Sequence, residues 1–352
     1  MRFNRVVRIG SRLVGEGHPC FIIAEAGSNH NRKLGWAKRL IDVGARAKAD
    51  AVKFQTFVPE KIYVKTAGFA DYLGKAKTIQ EIFREIMMPK GWLAPLAAHC
   101  RRRRILFMTS VFDEESADEV NPHVPAHKIA SYECTHLPLI RHVARMGKPI
   151  VMSTAMATLD EVGRALEAIA STGNRNVVLM HCVARYPAPL EATNLKAVDT
   201  LRKEFGVPVG LSDHSADAQI NPVAVAARGG NILEKHYTLS KRAPGPDHRF
   251  ALEPEELATL VASVRSVERA LGDGRKGVAP LERELYTFAR RHVHATRAIT
   301  KGERLTRENV AVLRSGKARR GLEPSDFERV LGHLAARNVR EGDGVRKLDV
   351  AW

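Results

Sequence analysis

Close cysteine pairs are missing. Cys20, Cys100, Cys134 and Cys182 are spread over 352 residues, which excludes a zinc ribbon or a CxxC redox motif and leaves four reduced, structural thiols. No apolar run approaches the roughly 18 residues that a bilayer span requires. The opening stretch MRFNRVVRIGSRLVGEGHPC has no signal-peptide core with a cleavage site, so a soluble, cytoplasmic protein is expected. Aromatic residues are scarce at 6%, and none interleave with basic residues as nucleic-acid surfaces require.

A formal charge of +17 nevertheless raises nucleic acid as a partner. The densest basic cluster, Arg101 to Arg104, falls between a helix-like stretch and the strand-like ILFM, where a solvated helix end explains it. Attraction of small anionic substrates explains the net charge equally well, and nucleic acid is disfavoured. With 44% apolar and 27% charged residues, the composition is that of an ordinary globular enzyme.

From residue 20 to about 240, short apolar runs alternate with longer amphipathic segments, the pattern of a parallel sheet wrapped by helices. Eight runs qualify as strands: CFIIAEAG, ADAVKFQT, RILFMTS, AHKIAS, KPIVMST, NVVLMHC, VPVGLSD and GNILEKHY. Eight such units predict an α/β fold, a (β/α)8 TIM barrel. Residues 57 to about 90 are too long for a simple connection and predict an elaborated loop near the active site. After residue 275 the pattern breaks into short segments. The boundaries expected are a barrel over 1–275, a linker over 276–290 and a compact domain over 291–352.

Each candidate strand ends on polar residues: Glu25, Lys53 with Gln55, Thr109 with Ser110, Lys128 with Ser131, Ser153 with Thr154, His181, Ser212 to His214, and Glu234 to His236. In a (β/α)8 barrel these ends converge on the face that carries chemistry. An ammonium in an apolar run is costly without an anion, so Lys53 and Lys128 point to a phosphate or carboxylate ligand, or else each pairs with a structural carboxylate. Thr109, Ser110, Ser131, Ser153 and Ser212 add neutral donors that suit a ligand bearing both groups. His214 and His236, on adjacent strands, can either hold one divalent ion with open positions or serve as hydrogen-bonding groups and bases. Glu25 is a candidate for proton transfer. His181 reads as either a site residue or a satisfied core histidine. Asp247, after the rigid PGP, can aim a carboxylate over the barrel mouth.

The segments AEAGSNH, VKFQTF, KIAS, MSTAMAT, HCVARYPAP, GLSDHS, ILEKHYT and PGPDH resemble motifs of the N-acetylneuraminate (sialic acid) synthases, in the same order along nearly the whole chain. The C-terminal segment resembles the SAF, or antifreeze-like, β-clip domain that those enzymes carry. The resemblance implies condensation of phosphoenolpyruvate with the aldehyde of an N-acyl amino sugar such as N-acetylmannosamine, giving a nonulosonic acid and phosphate. It implies a divalent cofactor, manganese with magnesium or cobalt as substitutes, held by His214 and His236. Catalysis would fall to Glu25, His214 and His236. Phosphoenolpyruvate would be bound by Lys53, Thr109, Lys128, Ser131, Ser153 and Ser212. The acceptor would meet Gln55, Tyr186, Asp247 and Arg314, the last carried by the small domain onto the partner's barrel in a domain-swapped homodimer. Departures from the family pattern are Ala155 in place of glycine, Ala184 and Arg185 in place of a polar amide, and Ser315–Gly316 in place of Pro-Gly. They leave open a diacetamido sugar as acceptor. Readings outside the resemblance are another metal-assisted barrel aldolase or lyase, and a noncatalytic sugar-binding relative.

Overall fold

The computed structural model describes residues 2–69 and 76–352. They form two compact units divided between Gly272 and Asp273. The first opens with an antiparallel hairpin, β1 (Val6–Ile9) and β2 (Arg12–Gly15), in which Val7 faces Val14. Eight parallel strands follow: β3 (Phe21–Gly27), β4 (Ala51–Thr56), β5 (Leu106–Val111), β6 (His127–Ile129), β7 (Ile150–Ser153), β8 (Val177–Cys182), β9 (Val209–Asp213) and β10 (Ile232–His236). They close in sequence order, with β10 pairing to β3. This is the (β/α)8 barrel that the eight apolar runs predicted.

The helices are α1 (Leu34–Arg46), two short ones in the connection after β4, α2 (Pro59–Ile62) and α3 (Ile79–Ile86), then α4 (Leu93–Arg103), α5 (Glu114–Val120), α6 (Leu137–Arg145), α7 (Leu159–Ala170), α8 (Ala197–Phe205), α9 (Ile220–Ala227) and α10 (Pro254–Leu271). Local chemistry sets their ends. Thr158 and Glu161 form a reciprocal capping box that starts α7, satisfying amides that would otherwise lack partners. The basic cluster closes α4, with Arg101 to Arg103 in its last turn and Arg104 in the left-handed conformation after it. Cations there complement the helix dipole. The elaborated connection after β4 contains α2 and α3; its residues 70–75 lie outside the described residues.

Strand alternation explains both the core and the site. Phe21 and Ile23, Ala51, Met108, Ala126, Val151, Val178 and Met180, and Ile232 fill the barrel interior, and Val7, Ile9 and Val14 of the hairpin pack with them. Two residues further along seven of the strands, the same inward face presents Glu25, Lys53, Ser110, Lys128, Ser153, Cys182 and Glu234, and β9 adds Ser212. Period-two geometry therefore places a dry apolar floor directly beneath a polar layer. The opposite faces of the strands pack against the helices in a second, larger cluster.

The second unit contains α11 (Arg283–Phe288), β11 (Arg291–Ala295) antiparallel to β12 (Val310–Arg314), α12 (Phe327–Val330), and β13 (Leu334–Ala335) antiparallel to β14 (Val350–Ala351). Val293, Ile299, Leu305, Val310, Val330 and Val345 make its small core. The stretch expected as linker carries α11, whose residues are exposed. Among the described residues no helix is long and apolar enough to cross a membrane.

Candidate active site

At the C-terminal ends of the barrel strands lies a cavity of about 350 Å³, lined by Glu25, Lys53, Gln55, Ser110, Lys128, Ser131, Ser153, Ser212, Tyr186, His214, Glu234, His236 and Asp247. Most of the polar strand ends thus meet in one place. Lys53 Nζ lies 3.0 Å from Glu25 Oε2 and 3.6 Å from Glu234 Oε1, and donates to Ser110 Oγ at 2.9 Å. Lys128 Nζ donates to Ser153 Oγ at 2.6 Å and stands 3.9 Å from Glu234 Oε1. Ser212 Oγ donates to that same oxygen at 3.0 Å.

The electrostatics divide the carboxylates. Burial raises Glu25 to about 7, against the pull of Lys53 and with the help of Glu234. Glu234 is also buried, but Lys128 and Lys53 outweigh desolvation and hold it below the usual carboxylate range. Burial works against the Lys53 ammonium, yet the two carboxylates outweigh it and raise its pKa; Lys128 is lowered by burial and by Lys53. One carboxyl poised near neutrality beside one firmly ionised is a pattern that separates acid–base work from charge compensation.

The imidazoles belong to the same strand ends as Ser212 and Glu234, with His236 directly beside Glu25 in the β10–β3 register. The His214 and His236 rings are 5.5 Å apart between centroids, and Tyr186 lies over His214 at 4.2 Å. His214 Nδ1 donates to the Val183 carbonyl at 2.7 Å, which leaves Nε2 with its lone pair. Burial lowers His214 to about 4 and His236 well below its ordinary value, so both are neutral at pH 7. His236 Nδ1 and Glu234 Oε2 are buried without a hydrogen-bond partner. Two neutral imidazoles, one with an orphaned nitrogen, fit a divalent ion bound from one side. Among the described residues no group of three or more His, Cys, Asp or Glu is placed to hold a metal ion; the histidine pair alone would be the protein's contribution to one. Asp247 Oδ2 is 3.7 Å from His236 Nδ1, and burial raises its carboxyl to about 6. Gln55 Nε2 donates to Glu25 Oε1 at 3.2 Å.

Thr109 does not join the cavity lining. Its hydroxyl is fully buried within 2.9 Å of Thr56 Oγ1, away from the cavity, because alternation along β5 turns Ser110 inward and Thr109 toward the helices. His181 also leaves the cavity: its Nε2 bonds the Thr193 carbonyl at 2.9 Å. Arg185 is exposed in an adjoining recess, together with Ala184 and Arg249. Ala155 is buried and is not part of the cavity lining. Arg314 is an exposed residue at the end of β12 in the second unit. The serine that follows it is held between two histidines. His294 Nδ1 donates to the Gly342 carbonyl, so its Nε2 accepts from Ser315 Oγ, which in turn accepts from His292 Nδ1.

Glu133 was not among the expected site residues. It lines the cavity from the turn after β6, burial raises it to about 8, and its Oε2 has no partner. Ile62, Tyr63, Ile82, Phe83, Ile86 and Phe112 add an apolar wall on the side of α2 and α3. The expectation of an elaborated loop pointed to this region without identifying the wall.

Fold and site together define a (β/α)8-barrel protein with a lysine- and imidazole-lined cavity at the C-terminal ends of its strands. The NeuB family matches residues 40–276 and the SAF domain residues 290–351. The spore coat polysaccharide biosynthesis protein SpsE of Bacillus subtilis is 40% identical, over 96% of this chain and 95% of its own. The N,N′-diacetyllegionaminic acid synthase of Campylobacter jejuni is 36% identical over 93% and 98%, and the human N-acetylneuraminate-9-phosphate synthase 34% over 95% and 93%. Among solved structures, the Leptospira borgpetersenii N-acetylneuraminic acid synthetase, in complex with citrate, superposes with a TM-score of 0.73 at 30% identity, over 81% of this chain and 96% of that one. The chain belongs to the NeuB family and carries a C-terminal SAF domain.

Proposed function

We propose that this chain condenses phosphoenolpyruvate with the open-chain aldehyde of an N-acyl amino sugar, giving a nonulosonic acid and phosphate. The observation that carries the reading is the joining, in one cavity, of two buried lysines, a carboxyl near neutrality and a neutral histidine pair, in a chain whose relatives are named as nonulosonic acid synthases. Lys53 and Lys128, with Ser110, Ser131, Ser153 and Ser212, bind the phosphate and carboxylate of phosphoenolpyruvate. C3 of phosphoenolpyruvate forms a bond to the aldehyde carbon, whose oxygen takes a proton. Water then adds at C2 and the C2–O bond to phosphate breaks. Glu25, beside Lys53, holds or moves the proton at these steps. His214 and His236 hold a divalent ion, manganese with magnesium or cobalt as substitutes, which when bound polarises the aldehyde oxygen.

The acceptor we favour is a diacetamido sugar. Two relatives, at 36% and 35% identity, are named N,N′-diacetyllegionaminic acid synthases, and the wall of Ile62, Tyr63, Phe83 and Ile86 suits acyl methyl groups better than free hydroxyls. Gln55, Tyr186, Asp247 and Glu133 supply its polar contacts. The reading includes a cytoplasmic homodimer in which Arg314 serves the site of a partner subunit. The test is to strip the protein with a chelator, reload it with manganese, and offer phosphoenolpyruvate with N-acetylmannosamine or a diacetamido hexose. New 2-keto acid is expected only in the reloaded sample, and faster with the diacetamido sugar. Product that persists without metal contradicts the metal role, and preference for N-acetylmannosamine contradicts the acceptor.

A further inference from the structure

On the faces of β9 and β10 that point away from the cavity lies a buried ion pair that the chemistry above does not use. Lys235 Nζ donates to Asp213 Oδ2 at 2.5 Å, to the carbonyls of Ser215 and Asp217 at 2.6 and 2.7 Å, and to Ser215 Oγ at 3.2 Å. Asp213 in turn accepts from Ser215 N and Oγ and from Asn221 Nδ2 of α9. Lys235 and Asp213 are each 3% exposed, so every donor and acceptor here is paid for by a protein partner, as buried charge requires.

The placement in the chain gives the network its meaning. Lys235 is bonded to His236, and Asp213 and Ser215 flank His214. The ammonium therefore ties together the two backbone segments that carry the imidazoles. It also holds the turn over residues 213–217, whose His214 carbonyl accepts from Ala188 N at 2.9 Å in the loop that carries Tyr186. We propose that Lys235 and Asp213 are positioning residues that fix the separation and orientation of His214 and His236 for a divalent ion. The inference rests on the metal reading of that pair. Groups that hydrogen-bond the ligands directly typically change metal affinity by about 10- to 100-fold, and a clamp on the ligands' backbone is expected to act at the lower end of that range.

The test is manganese affinity, read from the electron paramagnetic resonance signal of free Mn2+ during titration, with no turnover involved. The paired variant Asp213→Asn with Lys235→Met removes the clamp without leaving one buried charge alone. It is expected to fold and to bind Mn2+ at least 10-fold more weakly than the wild type. Asn221→Ala and Ser215→Ala remove single supports without a charge and are expected to weaken binding by a few fold, so the proposal stays testable if the paired variant fails to fold. Folded variants that bind Mn2+ with unchanged affinity would overturn the clamp. A wild-type protein whose Mn2+ binding is absent, or unaltered by His214→Ala, would overturn the metal reading itself, and the clamp with it.

Discussion

Lys53 Nζ sits 3.0 Å from Glu25 Oε2, with both side chains almost wholly removed from solvent. The pair spans neighbouring strands, Glu25 directly opposite Lys53 in the β3–β4 register. Burial raises the carboxyl to about 7 against the pull of Lys53, while Glu234 and Glu25 keep the ammonium charged against its own burial. Opposite charges that are buried yet unequal in protonation suit a site that must bind an anion and also pass a proton.

Glu25→Gln keeps the shape and removes the titrating group. The expected result is a loss of about 10²- to 10⁴-fold in kcat with little change in the KM for phosphoenolpyruvate. Lys53→Met, by contrast, is expected to raise that KM. Steady-state kinetics separate the two; equal effects of both variants on KM alone would remove Glu25 from the chemistry.

Glu133 offers a pH signature. Burial raises its folded pKa to about 8 from the ordinary 4.5, so between these values the unfolded chain releases a proton that the folded chain keeps. The stability this group contributes is fully present below about 4.5 and is lost as pH rises to about 8. Glu133→Gln stays neutral. The variant should match the wild type in melting temperature near pH 4.5 and gain on it steadily up to pH 8, with a constant gap above. A difference independent of pH in thermal unfolding would contradict the assignment.

The apolar wall governs the acceptor. Phe83→Ala opens the side of the cavity nearest α3, and with it about 1–3 kcal/mol of discrimination between acyl groups is lost, or about 10- to 200-fold in the ratio of kcat/KM values. Competition between a diacetamido and a monoacetamido acceptor measures this ratio, while the KM for phosphoenolpyruvate should stay constant.

Gly210 tests the barrel itself. A Cβ added there would lie 1.7 Å from the Ile232 carbonyl oxygen and 2.8 Å from Ile232 Cγ2, a clash with a neighbouring strand that no rotamer relieves. Gly210→Ala is expected to destabilise the protein by about 3 kcal/mol or more, seen in denaturant unfolding. A wild-type midpoint would show that β9 and β10 pack less closely than described.

Much of this was legible in the residue order because each barrel strand is a short apolar run that ends on a charge or hydroxyl. Composition and period agree there with tertiary position. Thr109 and Ser110 show the limit: in a strand end reading Thr-Ser, a one-residue choice of register decides which hydroxyl faces inward, and only pairing with β4 and β6 settles it. Glu133 carried no signal, since it stands in the turn after β6 and not at a strand end. Lys235 and Asp213 belong to two of the polar strand ends, but alternation turns them outward. The β1–β2 hairpin was missed because VVRI and RLVG are short, mixed with arginine, and find their apolar partners only in the barrel floor.

Condensation is tested most directly by phosphate release from phosphoenolpyruvate with and without an amino-sugar acceptor, on manganese-loaded protein. Release is expected to depend on acceptor, with one phosphate for each molecule of 2-keto acid product. Release that is equal without acceptor, or none with any N-acyl amino sugar, would contradict it.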